Sequence, residues 1–148
     1  MRILLDDSLC RRALFPFTHT RHAAHIRIGI LTLQEKWEKL GGLQVYVNPA
    51  EAPADAIHIS ANIIPTLANY EAILKNNQAE EVRTLTHPWQ IFQWNDWAIK
   101  EDFLILTKGR KSAAISTTNH IINPGQVFLE PGATVEYSII NAENGPVY

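Results

Sequence analysis

The first 47 residues run from a short apolar strand through a capped helix to a second apolar strand, and this order restricts the chain more than any other feature. Arg2 to Leu5 is an apolar run cut off by Asp6-Asp7-Ser8, which predicts a buried strand ending in a loop. Thr32-Leu33-Gln34-Glu35 has the form of a capping box. Its threonine hydroxyl accepts from the amide three residues on, and its glutamate reaches back. Leu33, Trp37 and Leu40 then recur at i, i+4 and i+7, the spacing of one helical face. Gly41-Gly42 supplies the left-handed stop, and Leu43 to Val47 gives the second strand. Two parallel strands joined through a helix predict an α/β sheet. The continuous apolar stretch from Ile3 to Leu5 belongs in the interior of that sheet, where both faces are covered.

The remaining pattern is less regular. Ile57 to Ile59 reads as a third strand, and Pro65-Thr66 opens a helix carrying Leu67, Tyr70, Ile73 and Leu74 on one face. Val82 to Leu85 reads as a fourth strand. From Pro88 to Leu106, Trp89, Phe92, Ile99, Phe103 and Leu106 keep helical spacing, with Asn95-Asp96 as the expected break. The aromatic residues are therefore expected in the core rather than on a stacking surface. From Ile121 the pattern changes. Aliphatic residues Ile122, Leu129 and Val135 recur at intervals of seven and six, with Pro124-Gly125 and Pro131-Gly132 between them. That period predicts a β-solenoid with these three side chains inward and the Pro-Gly pairs at corners. Barely one coil fits before Tyr148, so the chain reads as truncated. The domains expected are 1–119 and 120–148.

A chain of 148 residues suits one domain or slightly more. With 13 Lys+Arg against 15 Asp+Glu it is not a general polyanion binder. No apolar run has the length of a membrane span. The single cysteine, Cys10, excludes an intrachain disulfide and a thiolate metal cluster. These features predict a reduced, cytoplasmic protein with no nucleic-acid or membrane partner.

Candidate chemistry lies in two places. The loop after the first strand lacks glycine and holds Arg11, Arg12, Thr20 and Arg21. Ligands of open α/β sheets collect at the carboxyl ends of the strands. Guanidinium groups there suit phosphate, each through two parallel hydrogen bonds; the alternative is solvated surface charge. The second cluster, Lys108-Gly109-Arg110-Lys111, suits a phosphate or serves as a solvated linker. His19, His22 and His25 suggest a metal, but neither helix nor strand brings all three together: on a helix the outer two lie about 120° apart, and on a strand the middle one faces away. No metal ligand set is predicted. The sequence holds no P-loop, dinucleotide fingerprint or nucleophile elbow.

Several stretches together carry a family resemblance. They are Leu14-Phe15-Pro16-Phe17-Thr18 with Thr20-Arg21, Arg27 to Leu33 with Glu35-Lys36-Trp37, Pro88-Trp89 with Ile91-Phe92, Asp102-Phe103, Leu106 to Arg110, and Asn141-Ala142-Glu143 with Gly145-Pro146. The chain resembles the amino-terminal part of a Bacteroidetes-type sugar nucleotidyltransferase family, which is similar to the uridylyltransferase that makes UDP-N-acetylglucosamine and continues into a left-handed β-helix of hexapeptide repeats. The resemblance implies a reduced, Rossmann-like nucleotide-diphospho-sugar-transferase domain followed by the start of that β-helix. It implies transfer of a nucleotidyl group from a nucleoside triphosphate to a sugar 1-phosphate with Mg²⁺ as cofactor, and a homotrimer formed through the β-helix. Arg21 becomes the expected catalytic residue, with Arg11, Arg12, Thr20, Lys108 and Arg110 as further phosphate ligands. The family's glycine-rich loop is replaced by Leu5-Asp6-Asp7-Ser8, and its metal-holding Gly-Asp by Ala61-Asn62. These departures leave two alternatives: a degenerate nucleotide-sugar-binding or docking domain, and an appendage of a hexapeptide-repeat acyltransferase.

Overall fold

The computed structural model describes residues 1–78 and 81–148, which divide into two compact units, Met1–Ile105 and Leu106–Tyr148. In the first unit, β1 (Arg2–Asp6) lies between β2 (Gln44–Tyr46) and β3 (Ile57–Ser60), and both pairings are parallel. Ile3 and Leu5 are fully buried, so the apolar run occupies the sheet interior as its composition predicts. The chain leaves β1 through α1 (Leu33–Lys39) to reach β2 on one side, then crosses to set β3 on the other.

Helix α1 begins where its capping box requires. Thr32 Oγ1 accepts from the Glu35 amide at 3.2 Å, and the Thr32 amide donates to Glu35 Oε2 at 2.7 Å. Leu33, Trp37 and Leu40 are all buried. Beyond β3, β4 (Ile63–Ile64) pairs antiparallel with β5 (Arg83–Thr84). The expected helix from Pro65 is shortened to α2 (Tyr70–Leu74). Its opening turn is held by Asn69 Oδ1, which accepts from the Thr66 amide, and Thr66 Oγ1, which accepts from the Asn69 amide. The long apolar pattern divides into α3 (Gln90–Gln93) and α4 (Asn95–Thr107), with the break at Trp94.

Not every aromatic residue is in the core: Phe15 and Phe17 are 41% and 38% exposed. Trp37 is fully buried, but Trp89 and Phe92 are 56% and 72% exposed. They lie three apart, Trp89 as the N-cap of the four-residue α3 and Phe92 within it; the single buried side chain of α3 is Ile91, so their shared face turns outward.

One buried ion pair ties α1 to α4. Lys36 Nζ donates to Asp102 Oδ1, and both side chains are at most 1% exposed. Asp102 Oδ2 also accepts from the amides of Ile30 and Leu31, at 2.8 and 3.0 Å. The turn leading to these amides needs glycine. Gly29 has φ +79°, and a Cβ there would lie 2.6 Å from Asp102 Oδ2 and 2.8 Å from the Ala98 backbone.

The second unit has its own small core of Val127, Leu129 and Ala142, against which Ile121, Val135, Ile140 and Val147 pack. β6 (His120–Ile122) pairs parallel with β7 (Ile139–Asn141), each residue meeting one nineteen positions later, and Val127 bridges Val147 in the same sense. The Asn119 side-chain amide donates to Val135 O at 2.7 Å, and Asn119 Oδ1 accepts from the Ser138 amide at 3.0 Å. Leu129 and Val135 face the core as the pattern predicts. Ile122 does not: it is 39% exposed, and Ile121 turns inward instead. The spacing rule selected the wrong member of an adjacent aliphatic pair, and in a strand a shift of one residue reverses the face.

Candidate functional site at the carboxyl ends of β1 and β3

Asp6 ends β1, and its register partner Ser60 ends β3. The carboxyl ends of these neighbouring parallel strands therefore lie side by side, with a gap between them. Open α/β sheets bind ligands in such a gap. A cavity of about 110 Å³ lies there, lined by Asp6, Leu9, His58, Ile59 and Ser60. Asp6 Oδ1 accepts from the Ser8 amide at 2.9 Å. That bond, with His58 and His22 nearby, holds the Asp6 carboxyl below its ordinary range, so it is ionised at neutral pH.

Asp7 organises the loop beside the cavity. Its side chain is nearly buried. Oδ2 accepts from Arg11 Nη1 at 2.9 Å and from the Ala23 amide at 3.1 Å, and Oδ1 lies 3.4 Å from His22 Nε2. One carboxylate therefore joins the start of the loop to its far side, sixteen residues on. His22 Nδ1 in turn accepts from the Ala24 amide at 3.2 Å. Burial pushes the His22 imidazole below its ordinary pKa, against the opposing pull of Asp7. Cys10 lies buried beneath the loop, and the same loss of solvent pushes its thiol up to about 11. It is not a nucleophile at neutral pH.

The residues singled out by sequence fall into distinct situations. Arg11 is engaged by Asp7 and also reaches His19 O at 3.5 Å. Arg12, in a single 3₁₀ turn over Arg12–Leu14, and Thr20 and Arg21 are exposed, and among the described residues their side chains have no hydrogen-bond or ion-pair partner. Lys108 and Arg110 belong to the second unit. Lys108 is exposed. Arg110 is taken up by Glu130 and by Leu106 O at 3.0 Å, with its guanidinium 5.0 Å from the centre of the Phe128 ring. The histidines serve different purposes: His19 stacks on Phe15, His22 faces Asp7, and His25 meets His22 edge-on.

Sequence reasoning treated Asp6 and Asp7 as the end of a strand and passed over His58 and Ser60. Two adjacent carboxylates at the end of an interior parallel strand were the available signal, because ligands gather at that end. Asn62 replaces the acid expected to hold a metal. It is buried, accepts from Ser60 Oγ at 2.6 Å and donates to Leu85 O at 2.7 Å, so it fastens β3 to the β4–β5 hairpin.

Comparison with known families finds a match to the family described as sugar nucleotidyl transferase over residues 2–81, more than half of the chain. The matched segment contains all of β1 to β3 and every residue lining the cavity. No curated protein and no solved structure matches the chain.

Proposed function

The chain belongs to the sugar nucleotidyl transferase family, and we propose that it joins a nucleoside triphosphate to a sugar 1-phosphate at the crevice between β1 and β3. The observation that carries this reading is the cavity at the carboxyl ends of β1 and β3, with ionised Asp6 on its wall and the exposed cations Arg12 and Arg21 on the loop that follows the same strand. In the reaction an oxygen of the sugar 1-phosphate forms a bond to the α-phosphorus, and the bond from that phosphorus to the departing pyrophosphate breaks. Negative charge grows on the pyrophosphate oxygens, and guanidinium groups oppose it. Arg21 is assigned to that charge, with Arg12 and Thr20 holding the triphosphate. Arg11 reaches phosphate only by sharing or leaving Asp7.

For a Mg²⁺ that arrives with the nucleotide the crevice wall offers a single carboxylate, and no group of three or more acidic, histidine or cysteine side chains that could hold the ion occurs among the described residues. This ion commonly takes one or two protein carboxylates and completes its shell with phosphate oxygens and water. Asp6 would supply one such carboxylate, which the Ser8 amide and side chain already hold in place. When bound, the ion would neutralise phosphate charge and polarise the phosphoryl oxygens.

The finer assignment follows the sequence resemblance to enzymes of UDP-N-acetylglucosamine synthesis of the Bacteroidetes type. The first unit serves as the transferase part, and residues 120–148, within the second unit, as the first coil of a left-handed hexapeptide β-helix that forms a homotrimer. The parallel offset of nineteen residues between β6 and β7 supports the coil, because a solenoid stacks each strand on the one a full turn earlier. A lone buried thiol suits the reducing cytoplasm. Among the described residues no helix is long and apolar enough to cross a membrane.

A second reading, nucleotide-sugar binding without turnover, is favoured by one observation: Asn62 is locked into the β3–β4 corner where the family's metal-holding acid is expected. Pyrophosphate release from nucleoside triphosphates, measured with Mg²⁺ and a panel of sugar 1-phosphates, separates the two. Release dependent on the sugar phosphate and reduced at least about tenfold in Arg21→Ala supports catalysis. Saturable nucleotide-sugar binding without release selects the second reading. Nucleotide affinity equal in wild type and Arg21→Ala would remove Arg21 from the site.

A further inference from the structure

The second unit carries a reactive pair between β7 and the Val127–Val147 bridge. Asn144 is the one asparagine of the chain followed by glycine. It is exposed in a bend, and its side chain has no hydrogen-bond partner among the described residues. The Gly145 amide has no acceptor among them either. The bend is fixed at both ends: the Ala142 amide donates to Ile122 O at 3.1 Å, and the Val147 amide donates to Gln126 O at 2.9 Å.

These are the conditions under which a backbone nitrogen attacks the side-chain amide before it. The N–H must be free to lose its proton, and the residue that carries it must have no Cβ to crowd the approach. Elsewhere at least one condition fails. Asn48 and Asn123 precede proline, which has no N–H. After Asn69, Asn76, Asn119 and Asn141 the next amide already donates, to Thr66 O, Ala72 O, Ser138 O and Ile122 O. Asn62 is buried with both side-chain polar atoms engaged. Asn77 and Asn95 are followed by Gln78 and Asp96, each with a Cβ.

We propose that Asn144 is a self-modification site, converting with water to aspartate and isoaspartate, and that the isoaspartate form releases the Val127–Val147 bridge. The Gly145 nitrogen forms a bond to Asn144 Cγ, the Cγ–Nδ2 bond breaks, and the side-chain nitrogen leaves as ammonia with the Gly145 proton. Water then opens the cyclic imide. Opening at Cγ gives aspartate. Opening at the main-chain carbonyl gives isoaspartate, in which the backbone runs through the former side chain and is one carbon longer. Either product adds a carboxylate to the bend. The extra length falls three residues before Val147. Val147 holds the bridge with both backbone groups, since its carbonyl also accepts from the Phe128 amide at 2.9 Å. A longer connection from the fixed Ala142 end pushes Val147 out of register with Gln126 and Phe128. The β6–β7 pairing lies before the insertion and keeps its partners.

Incubating the full chain in mildly alkaline buffer, with peptide mass mapping of samples withdrawn over time, measures conversion at every asparagine. Asn144 should convert at least about tenfold faster than any other asparagine in the folded chain. Its rate should lie within about threefold of that in the urea-unfolded chain, because no hydrogen bond restrains either reacting group. Gly145→Ala should slow it about tenfold by crowding the nitrogen. Amide hydrogen exchange on the separated isoaspartate form reads the consequence. Exchange should quicken at least about tenfold at Phe128 and Val147 and stay unchanged at His120 and Ala142. Conversion at Asn144 no faster than at other asparagines, or slowed more than about threefold by folding, overturns the proposal. So does isoaspartate with unchanged exchange at Phe128 and Val147, or with faster exchange at all four amides, which would mean that the whole unit opens.

Discussion

Replacing Asp102 by alanine should cost more stability than any change at the crevice. The carboxylate is fully buried and serves three donors: Lys36 Nζ and the amides of Ile30 and Leu31. Its removal strands an ammonium that is 1% exposed. Breaking one side of a buried pair costs about 3–5 kcal/mol. The two amides add to that, because an orphaned buried donor costs about 1–3 kcal/mol, although the turn can relax towards solvent on its exposed side. We expect a total of about 5 kcal/mol for Asp102→Ala. Lys36→Met should cost less, about 3 kcal/mol, since the carboxylate keeps both amides. Urea unfolding followed by Trp fluorescence measures each, and the double variant gives the coupling. Acid should narrow the Lys36→Met deficit. Burial raises the Asp102 pKa, so the folded state binds a proton more readily than the unfolded one. The stabilising contribution is complete below the unfolded value and is lost as pH rises through the folded value. A cost below about 1 kcal/mol for Asp102→Ala, or a coupling near zero, would refute the reasoning.

Gly29→Ala combines a left-handed φ with a Cβ placed against the Asp102 carboxylate and the Ala98 backbone; we expect a loss of about 3 kcal/mol in urea unfolding. His22 has a lowered folded pKa because of burial, so its contribution to stability is complete above about 6.5 and is lost as pH falls through the folded value. A thermal-melt series from pH 7.5 to 5 should show that loss, and His22→Gln should flatten it. Thr32→Ala removes the cap at the start of α1 and should cost about 1 kcal/mol, read by urea unfolding.

The sheet was legible because each of its signals is local. The capping box set the start of α1, and the uninterrupted Ile3 to Leu5 run placed β1 between two neighbours. What was not legible depends on partners distant in sequence. Nothing near Lys36 announces that it is buried; it faces inward because Asp102, sixty-six residues away, receives it. Trp89 and Phe92 keep helical spacing, yet a four-residue helix has too little length to bury both of its sides. In the second unit the period was legible but not the phase, since Ile121-Ile122 offers two aliphatic residues to one inward position. At the site, the arginines drew attention as cations. Which of them is available was decided by Asp7, whose role depends on a loop closing over sixteen residues.

That closure bears on how this loop meets phosphate. A glycine-rich loop presents successive backbone N–H groups to a triphosphate. Here the amides of Ser8, Cys10, Arg11, Ala23 and Ala24 all donate within the loop, to Asp6 Oδ1, Asp7 O, Asp7 Oδ2 and His22 Nδ1. These five backbone donors are spent on holding the loop's shape. The Asp6 carboxylate on the crevice wall also repels an unaccompanied phosphate. Recognition must then come from groups on the outside of the loop, and Arg12, Thr20 and Arg21 are the exposed side chains without partners there. Side-chain cations reach out at an entropic cost and are screened by salt. Nucleotide binding at this site is therefore expected to weaken as salt is raised, and to depend on Arg21 more than an amide-lined loop would; the Arg21→Ala titration, repeated at low and high salt, reads both.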